Sequence, residues 1–125
     1  MAYSPITKAS DFFNTKLYTG TGSSNAQTGL GFQPDWVWLK NRGATSNHFV
    51  NDVLRGITKE LRPNLSNSQA DDNQLLTSLN SDGFTLGTSG SANTNGNTYV
   101  AWNWKANGAG SANTDGSINS TVSVN

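Results

Sequence analysis

His48 is the only histidine of the chain and the side chain best suited to acid–base chemistry. Ser46, Asn47 and Asp52 lie close to it in sequence, so a nucleophile–histidine pair of the kind that hydrolases use could form here. No Gly-x-Ser-x-Gly elbow accompanies it, and a single histidine excludes a metal site built on two histidines of one chain. The pattern favours a packed or surface histidine, and we predict that the protein is not an enzyme.

Asp52 and Arg55, followed by Gly56, form the second group that could act on a ligand. The guanidinium of an arginine is a planar fork of donors, which could clamp a hydroxyl or a carboxylate group. Pairs of this type also commonly fix a turn. The sequence therefore predicts a structural ion pair between Asp52 and Arg55.

Four loop residues carry hard oxygen ligands of the type that calcium prefers: Asp71, Asp72, Asn73 and Asp82. Their spacing lacks the alternating Asp-x-Asn-x-Asp-Gly pattern of a dedicated calcium loop. A glycan-cleaving enzyme would need two carboxylates about 5 to 10 Å apart, and most of the 8 acidic residues fall in predicted turns. We therefore expect solvated loop carboxylates, no metal and no cofactor.

The four tryptophans come in two pairs, each on one predicted strand. Trp36 and Trp38 share one face of a strand that begins after Pro34, and Trp102 and Trp104 share one face of a second strand. Apolar residues occupy both faces of the first strand, which predicts a core strand covered on two sides. We expect the two strands to meet in one core, although the sequence does not show that they pair.

Two roles compete for these indole rings. Aromatic faces can stack on sugar rings while nearby Asn, Asp and Thr hydrogen-bond to a glycan, and Trp36, beside a turn, is the candidate for such a contact. A domain with few Ile and Val also needs its aromatic residues inside. We therefore expect at least three of the four tryptophans in the core. The predicted core aromatic residues are Trp38, Trp102, Trp104, Phe84 and Tyr99.

Composition narrows the class of protein further. The 125 residues suffice for one domain with one core. The formal net charge is +0 and only 13% of the residues are charged, without a Lys/Arg cluster, which argues against nucleic acid or an anionic membrane as a partner. The absence of cysteine excludes disulfides and Cys-based zinc sites. No secretory signal or membrane-spanning stretch is evident, so we expect no membrane insertion.

Short strand patterns separated by Asn-, Ser-, Thr- and Gly-rich turns predict an all-β fold. We expect a compact antiparallel β-sandwich or jelly-roll-like domain with long polar loops and room for one short helix. The predicted divisions are an N-terminal arm (1–14), the β-sandwich domain (15–106) and a Gly/Ser/Asn-rich linker or extended arm (107–125). Residues 87–97 are predicted to be an exposed hairpin loop, and 52–61 fit a turn or a bent strand as well as a helix.

Six short motifs follow one another between Tyr18 and Lys105. They are Tyr-Thr-Gly-x-Gly at 18–22, Gly-Phe-Gln-Pro-Asp-x-Val-Trp at 31–38, Lys-Asn-Arg at 40–42, Asp-x-x-Arg-Gly at 52–56, Ser-Asp-Gly-Phe-Thr-Leu-Gly at 81–87 and Tyr-Val-Ala-Trp-x-Trp-Lys at 99–105. In this order they resemble a module in the virion proteins of tailed bacteriophages, marine phages especially. In such proteins, usually labelled tail fibre or structural protein, the module often stands at the start of a longer chain.

The resemblance implies a bacteriophage virion structural protein, an assembly or attachment module of a tail fibre or similar surface appendage. Such a protein is assembled in the host cytoplasm and released by lysis, and its partners are other virion proteins and copies of itself. Three alternatives stay open. One is a capsid-decorating protein, and another is a glycan- or receptor-binding module for host adsorption, whose partner is a host-surface glycan. The third is a depolymerase enzyme, which ranks last because most of the few acidic residues fall in predicted turns.

Overall fold

Two antiparallel β-sheets account for most of the fold. A computed structural model of the protein describes residues 8–106, 111–113 and 120–122. Its strands are β1 (Phe13–Thr19), β2 (Asn25–Thr28), β3 (Trp36–Asn41), β4 (His48–Asp52), β5 (Lys59–Glu60), β6 (Ala70–Asp71), β7 (Leu76–Asn80), β8 (Gly83–Leu86), β9 (Thr98–Trp104), β10 (Ser111–Asn113) and β11 (Ser120–Val122). The larger sheet has the strand order β1-β9-β3-β4 and the smaller has β2-β8-β7. The predicted all-β, antiparallel sandwich is confirmed.

The two tryptophan strands are direct neighbours in the larger sheet. β3 and β9 run antiparallel, with Trp36 opposite Trp104 and Trp38 opposite Trp102. The expectation that the two distant stretches meet is therefore confirmed. They also share one hydrogen-bonded ladder, which the sequence alone did not show.

The core lies between the two sheets. Because side chains alternate along a strand, Leu39 of β3 and Tyr99 of β9 point toward the smaller sheet, whose Phe84 points back at them. The buried cluster comprises Tyr18, Leu30, Val37, Leu39, Phe49, Leu75, Leu76, Phe84, Leu86, Ala92, Tyr99 and Ala101. Full burial of each large apolar side chain stabilises the fold by about 1.5–3 kcal/mol. Phe84 and Tyr99 thus lie in the core, as predicted.

The tryptophans lie on the other face of the larger sheet. Trp38, Trp102 and Trp104 are only partly buried, so the prediction that they belong to the core is wrong. The reason is the strand register: the positions that alternate with them carry buried residues such as Leu39 and Ala101, which fill the inner face. The prediction that this strand is covered on two sides is corrected for the same reason.

Residues 87–97 form a partly buried segment instead of the exposed hairpin loop predicted for them. They contain the single helical turn α1 (Gly90–Asn93), whose N-cap Ser89 accepts a hydrogen bond from the Ser91 backbone N–H. Ala92 and Asn93 are buried. A run of small residues allows this turn to pack close to the core, so low hydrophobicity did not make it a surface loop.

The remaining elements are short. β5 pairs with β6 and β10 pairs with β11, both antiparallel. A 3-10 turn (Ala9–Asp11) precedes β1, so the sheet begins at Phe13, within the range predicted as an arm. The rest of that arm, residues 1–7, lies outside the described residues, as do 107–110, 114–119 and 123–125 of the predicted linker. Within the described ranges, no helix has the length and apolar character needed to span a membrane.

Candidate functional site

Trp36, Trp38, Trp102 and Trp104 form one aromatic surface on the outer face of the larger sheet, which we call the tryptophan face. The ring centroids lie 4.3 Å apart for Trp36 and Trp104, 5.9 Å for Trp36 and Trp38, and 5.8 Å for Trp38 and Trp102. The ring planes are tilted or nearly perpendicular, an arrangement that the aromatic quadrupole favours by about 0.5–1.5 kcal/mol per pair. Each ring is therefore held in place by its neighbours and by the sheet beneath.

Two further rings extend this surface. Phe13 of β1 lies 4.8 Å from Trp104, and His48 of β4 lies 5.6 Å from Trp38, measured between ring centroids. The indole N–H of Trp38 donates a hydrogen bond to Nδ1 of His48 over 3.0 Å. This bond needs a lone pair on Nδ1, so in this arrangement His48 orients Trp38 and does not act as a base through that atom.

Asp52 and Arg55 form the ion pair that the sequence predicts, beside the tryptophan face. Arg55 Nε donates to Asp52 Oδ2 over 2.6 Å, and the Arg55 backbone N–H donates to Asp52 Oδ1 over 2.8 Å. The two terminal guanidinium nitrogens donate to Gln69 Oε1 and the Val50 carbonyl. Burial raises the pKa of Asp52, but the hydrogen bonds and the positive charge of Arg55 outweigh it and lower that pKa. Since Asp52 stands opposite Trp36 in the ladder, a fixed charged pair adjoins the rings.

The described residues line three concavities that follow one another along this surface. The first, of about 400 Å³, is lined by Trp38, His48, Trp102 and Trp104. The second, also of about 400 Å³, is lined by Trp36, Trp38, Val50, Asp52, Arg55, Leu61, Arg62, Pro63, Leu65 and Asn67. The third, of about 390 Å³, is lined by Asp35, Trp36, Asp52, Val53, Leu54, Arg55 and Ala106. Trp38 is the wall shared by the first and second, and Trp36 is shared by the second and third.

Three of the four indole N–H groups have no acceptor in the part of the chain that the structure describes. Only the N–H of Trp38 has a hydrogen-bond acceptor among the described residues, whereas those of Trp36, Trp102 and Trp104 have none. All three rings remain partly exposed. The face therefore combines apolar ring surface with hydrogen-bond donors, which is the combination that small-molecule sites use.

The acidic residues considered as calcium ligands have structural partners instead. Asp71 forms an ion pair with Lys59, and Asp72 accepts a hydrogen bond from the hydroxyl of Ser89 over 2.6 Å. Asp82 accepts two backbone hydrogen bonds from the loop that follows β2, at 2.9 and 2.7 Å. In the part of the chain that the structure describes, no cluster of three or more His, Cys, Asp or Glu side chains could hold a metal ion.

Sequence reasoning named Trp36 as a surface ring but missed its three companions and the loop residues beside them. Arg62 and Asn67 line the second concavity, although they are distant in sequence from β3. An isolated bridge between Val50 and Leu61 joins their segment to β4. No local sequence pattern predicts that contact. The period of two placed Trp102 and Trp104 on one face of their strand, but it does not tell which face meets the other sheet.

Comparisons with known proteins assign no activity to this surface. The model of a family described as a domain of unknown function, DUF7483, matches residues 8–125. No curated protein matches the chain significantly, and no solved structure does either.

Proposed function

The chain belongs to the DUF7483 family of domains of unknown function, and we propose that it is an attachment module of a bacteriophage surface appendage such as a tail fibre. The tryptophan face binds a glycan on the host surface, and the sheet beneath it is a rigid, non-catalytic support. The observation that carries this proposal is the presence of four partly exposed indole rings together on the outer face of the larger sheet.

The distribution of apolar residues supports a binding role for this surface. The core between the sheets is filled by other side chains, including the fully buried Phe84, Leu39 and Tyr99. Packing therefore does not require further large rings on the outer face. Contiguous apolar patches at a protein surface mark interaction sites or ligand-binding grooves.

The rigidity of the face supports recognition as well. The rings stand on two hydrogen-bonded neighbouring strands, at directly opposed positions such as Trp38 and Trp102. A surface held in its binding geometry loses little conformational entropy when a ligand binds, which favours affinity. The resemblance to phage virion modules provides the setting, in which a particle must hold on to the outside of a cell.

Binding to an array of bacterial surface glycans tests the proposal with the full chain. We expect a subset of glycans to bind and Trp36→Ala to lower the affinity about tenfold, the effect of one lost aromatic contact. Leu17→Ala is the matched control, since Leu17 is an exposed residue of β1 at 57% accessibility and lines none of the three concavities. Absence of any glycan binding by a folded chain contradicts the proposal.

Assembly with virion proteins is a second candidate function, and Leu54 favours it. This residue is 94% exposed, although the Asp52–Arg55 pair on either side of it fixes the turn. A rigidly displayed leucine suits contact with another virion protein, either in an appendage or on a capsid. A cross-linkable residue in place of Leu54 should form a covalent link between this domain and the neighbouring virion protein in intact particles. If it forms no link to another virion protein, the assembly role of this turn is excluded.

A further inference from the structure

The three concavities beside the tryptophan face form one groove. Trp38 is a wall of the first and the second, while Trp36, Asp52 and Arg55 line both the second and the third. Each concavity alone is as large as the smaller small-molecule sites, whose volumes are about 300 Å³ or more. A ligand no larger than one sugar ring would leave most of this groove empty. The shape therefore fits a chain of several units.

The two arginines that line the groove are each paired with a carboxylate of the protein. Arg55 is paired with Asp52, and Arg62 Nε donates to Glu60 Oε1 over 2.9 Å. Asp35 accepts a hydrogen bond from the Ala106 backbone N–H and forms no ion pair with a described residue, so the third concavity is slightly negative. No uncompensated arginine is therefore presented to a ligand, and an acidic sugar would meet a carboxylate. The groove fits a neutral ligand.

The polar groups of the groove fit a hydroxyl-rich ligand better than a protein surface. The indole N–H groups of Trp36, Trp102 and Trp104 lack acceptors among the described residues, and Asn67 adds a side-chain amide. A second copy that covered the rings with apolar side chains would bury these donors without partners, at a cost of about 1–3 kcal/mol each. In an oligosaccharide, the hydroxyl groups accept hydrogen bonds from the indole N–H groups, and the C–H faces of the sugar rings pack on the faces of the indoles.

From these three observations we infer that the groove binds a neutral, extended oligosaccharide that spans at least three sugar units, an inference that rests on the proposed glycan-binding function. The oligosaccharide runs from the first concavity at Trp102, past Trp38 and Trp36, to the third concavity at Leu54. The Asp52–Arg55 pair in the middle accepts from and donates to the hydroxyl groups of the central unit.

Ligand length and charge test this inference by calorimetry on the full chain. The probes are homo-oligomers of one to six units of glucose, galactose, mannose and N-acetylglucosamine, with galacturonate and sialic acid oligomers as acidic counterparts. We expect at least one neutral series to bind, with affinity rising about tenfold or more from one unit to three. Raising the salt concentration to about 1 M should change that affinity little, because no net charge is neutralised.

A variant at one end of the groove, with a control outside it, tests where the oligosaccharide lies. Trp102→Ala, which alters the first concavity only, should weaken binding of the hexamer about tenfold and leave the monosaccharide unchanged. Leu17→Ala should change neither. A monosaccharide that binds as tightly as the hexamer overturns the extended site but leaves the proposed function standing, and tighter, salt-sensitive binding of an acidic series overturns the neutral ligand. If no series binds and the array also stays blank, the proposed function itself fails.

Discussion

Trp38 of β3 lies directly opposite Trp102 of β9, and their ring centroids are 5.8 Å apart on the outer face of the larger sheet. This pair joins the two aromatic strands across more than sixty residues of chain. It does so on the side that faces away from the core, because Leu39 and Ala101 occupy the inward positions next to it. The rings of one ladder thus belong to a surface and not to the interior.

Iodide quenching of tryptophan fluorescence distinguishes these two locations. Because all four indoles are partly exposed, we expect iodide to quench most of the fluorescence of the native protein. The unfolded chain in guanidinium chloride gives the upper limit for the comparison, at matched ionic strength. A native quenching constant close to zero would mean that the rings are shut away from water and would remove the tryptophan face as a binding surface.

The Asp52–Arg55 pair should contribute measurably to stability. Asp52→Asn is expected to lower the free energy of unfolding by about 1–2 kcal/mol, because a charge-assisted hydrogen bond between partly buried groups is lost. Urea unfolding followed by circular dichroism measures the change. Asp11→Asn is the control, since the Lys8–Asp11 pair has the same i,i+3 spacing but is exposed, with side-chain accessibilities of 71% and 54%. If the two substitutions lower the free energy of unfolding equally, the Asp52–Arg55 pair stabilises the fold no more than an exposed ion pair does.

Local features of the sequence predicted much of what the structure contains. The ion pair of Asp52 and Arg55 was predictable because residues i and i+3 of a turn are close together, whatever the position of the turn in the fold. The strands around Trp36 and Trp102 were predictable from their period of two. A period of two also fixes which residues share a face, so it placed Trp36 and Trp38 together correctly.

The choice of face was not predictable in the same way. Period two does not tell which of the two faces meets the other sheet, and an aromatic residue buries more area than Ala101 or Asn103 would. The inner face is nevertheless the one with the smaller residues, because Phe84 and Tyr99 fill the space between the sheets. The groove was not predictable from the sequence for a related reason. Arg62 and Asn67 line a concavity with Trp36 only because of tertiary contacts.

Acid should destabilise the fold through carboxylates whose pKa is lowered in the folded state. Backbone hydrogen bonds from Gly31 and Gly29 lower the pKa of Asp82, and hydrogen bonds from Arg55 lower that of Asp52 against the effect of burial. A carboxylate with a depressed folded pKa stabilises the protein fully above its unfolded pKa of about 3.9 and loses that contribution as the pH falls through the folded value.

Thermal unfolding from pH 7 down to pH 2 measures this effect. We expect a nearly constant midpoint down to about pH 5 and a steep decrease below it. Asp82→Asn should make the decrease shallower, because one of the groups that must take up a proton on unfolding is gone. An unchanged slope in that variant would exclude the contact between Asp82 and the loop after β2 as a source of acid sensitivity.

Asn93 of α1 should be one of the most sensitive polar positions. It is fully buried, and its Nδ2 donates to the carbonyls of Ser23 and Gly87, each over 2.6 Å. Its Oδ1 accepts from the Thr21 backbone N–H and from Asn25 Nδ2, at 2.9 and 3.0 Å. One amide thus satisfies groups from the β1–β2 connection, β2 and the segment that leads into α1.

Asn93→Ala should therefore lower the free energy of unfolding by about 3 kcal/mol, since several buried groups lose their partner at once. Asn93→Asp should cost more, because a carboxylate oxygen would face the two carbonyls that now accept hydrogen bonds from Nδ2. Asn95→Ala is the control, as Asn95 is exposed in the same segment. Urea unfolding gives the energies, and faster exchange of the Thr21 amide hydrogen reports the loss locally. If Asn93→Ala and Asn95→Ala unfold at the same urea concentration, the amide does not hold these segments together.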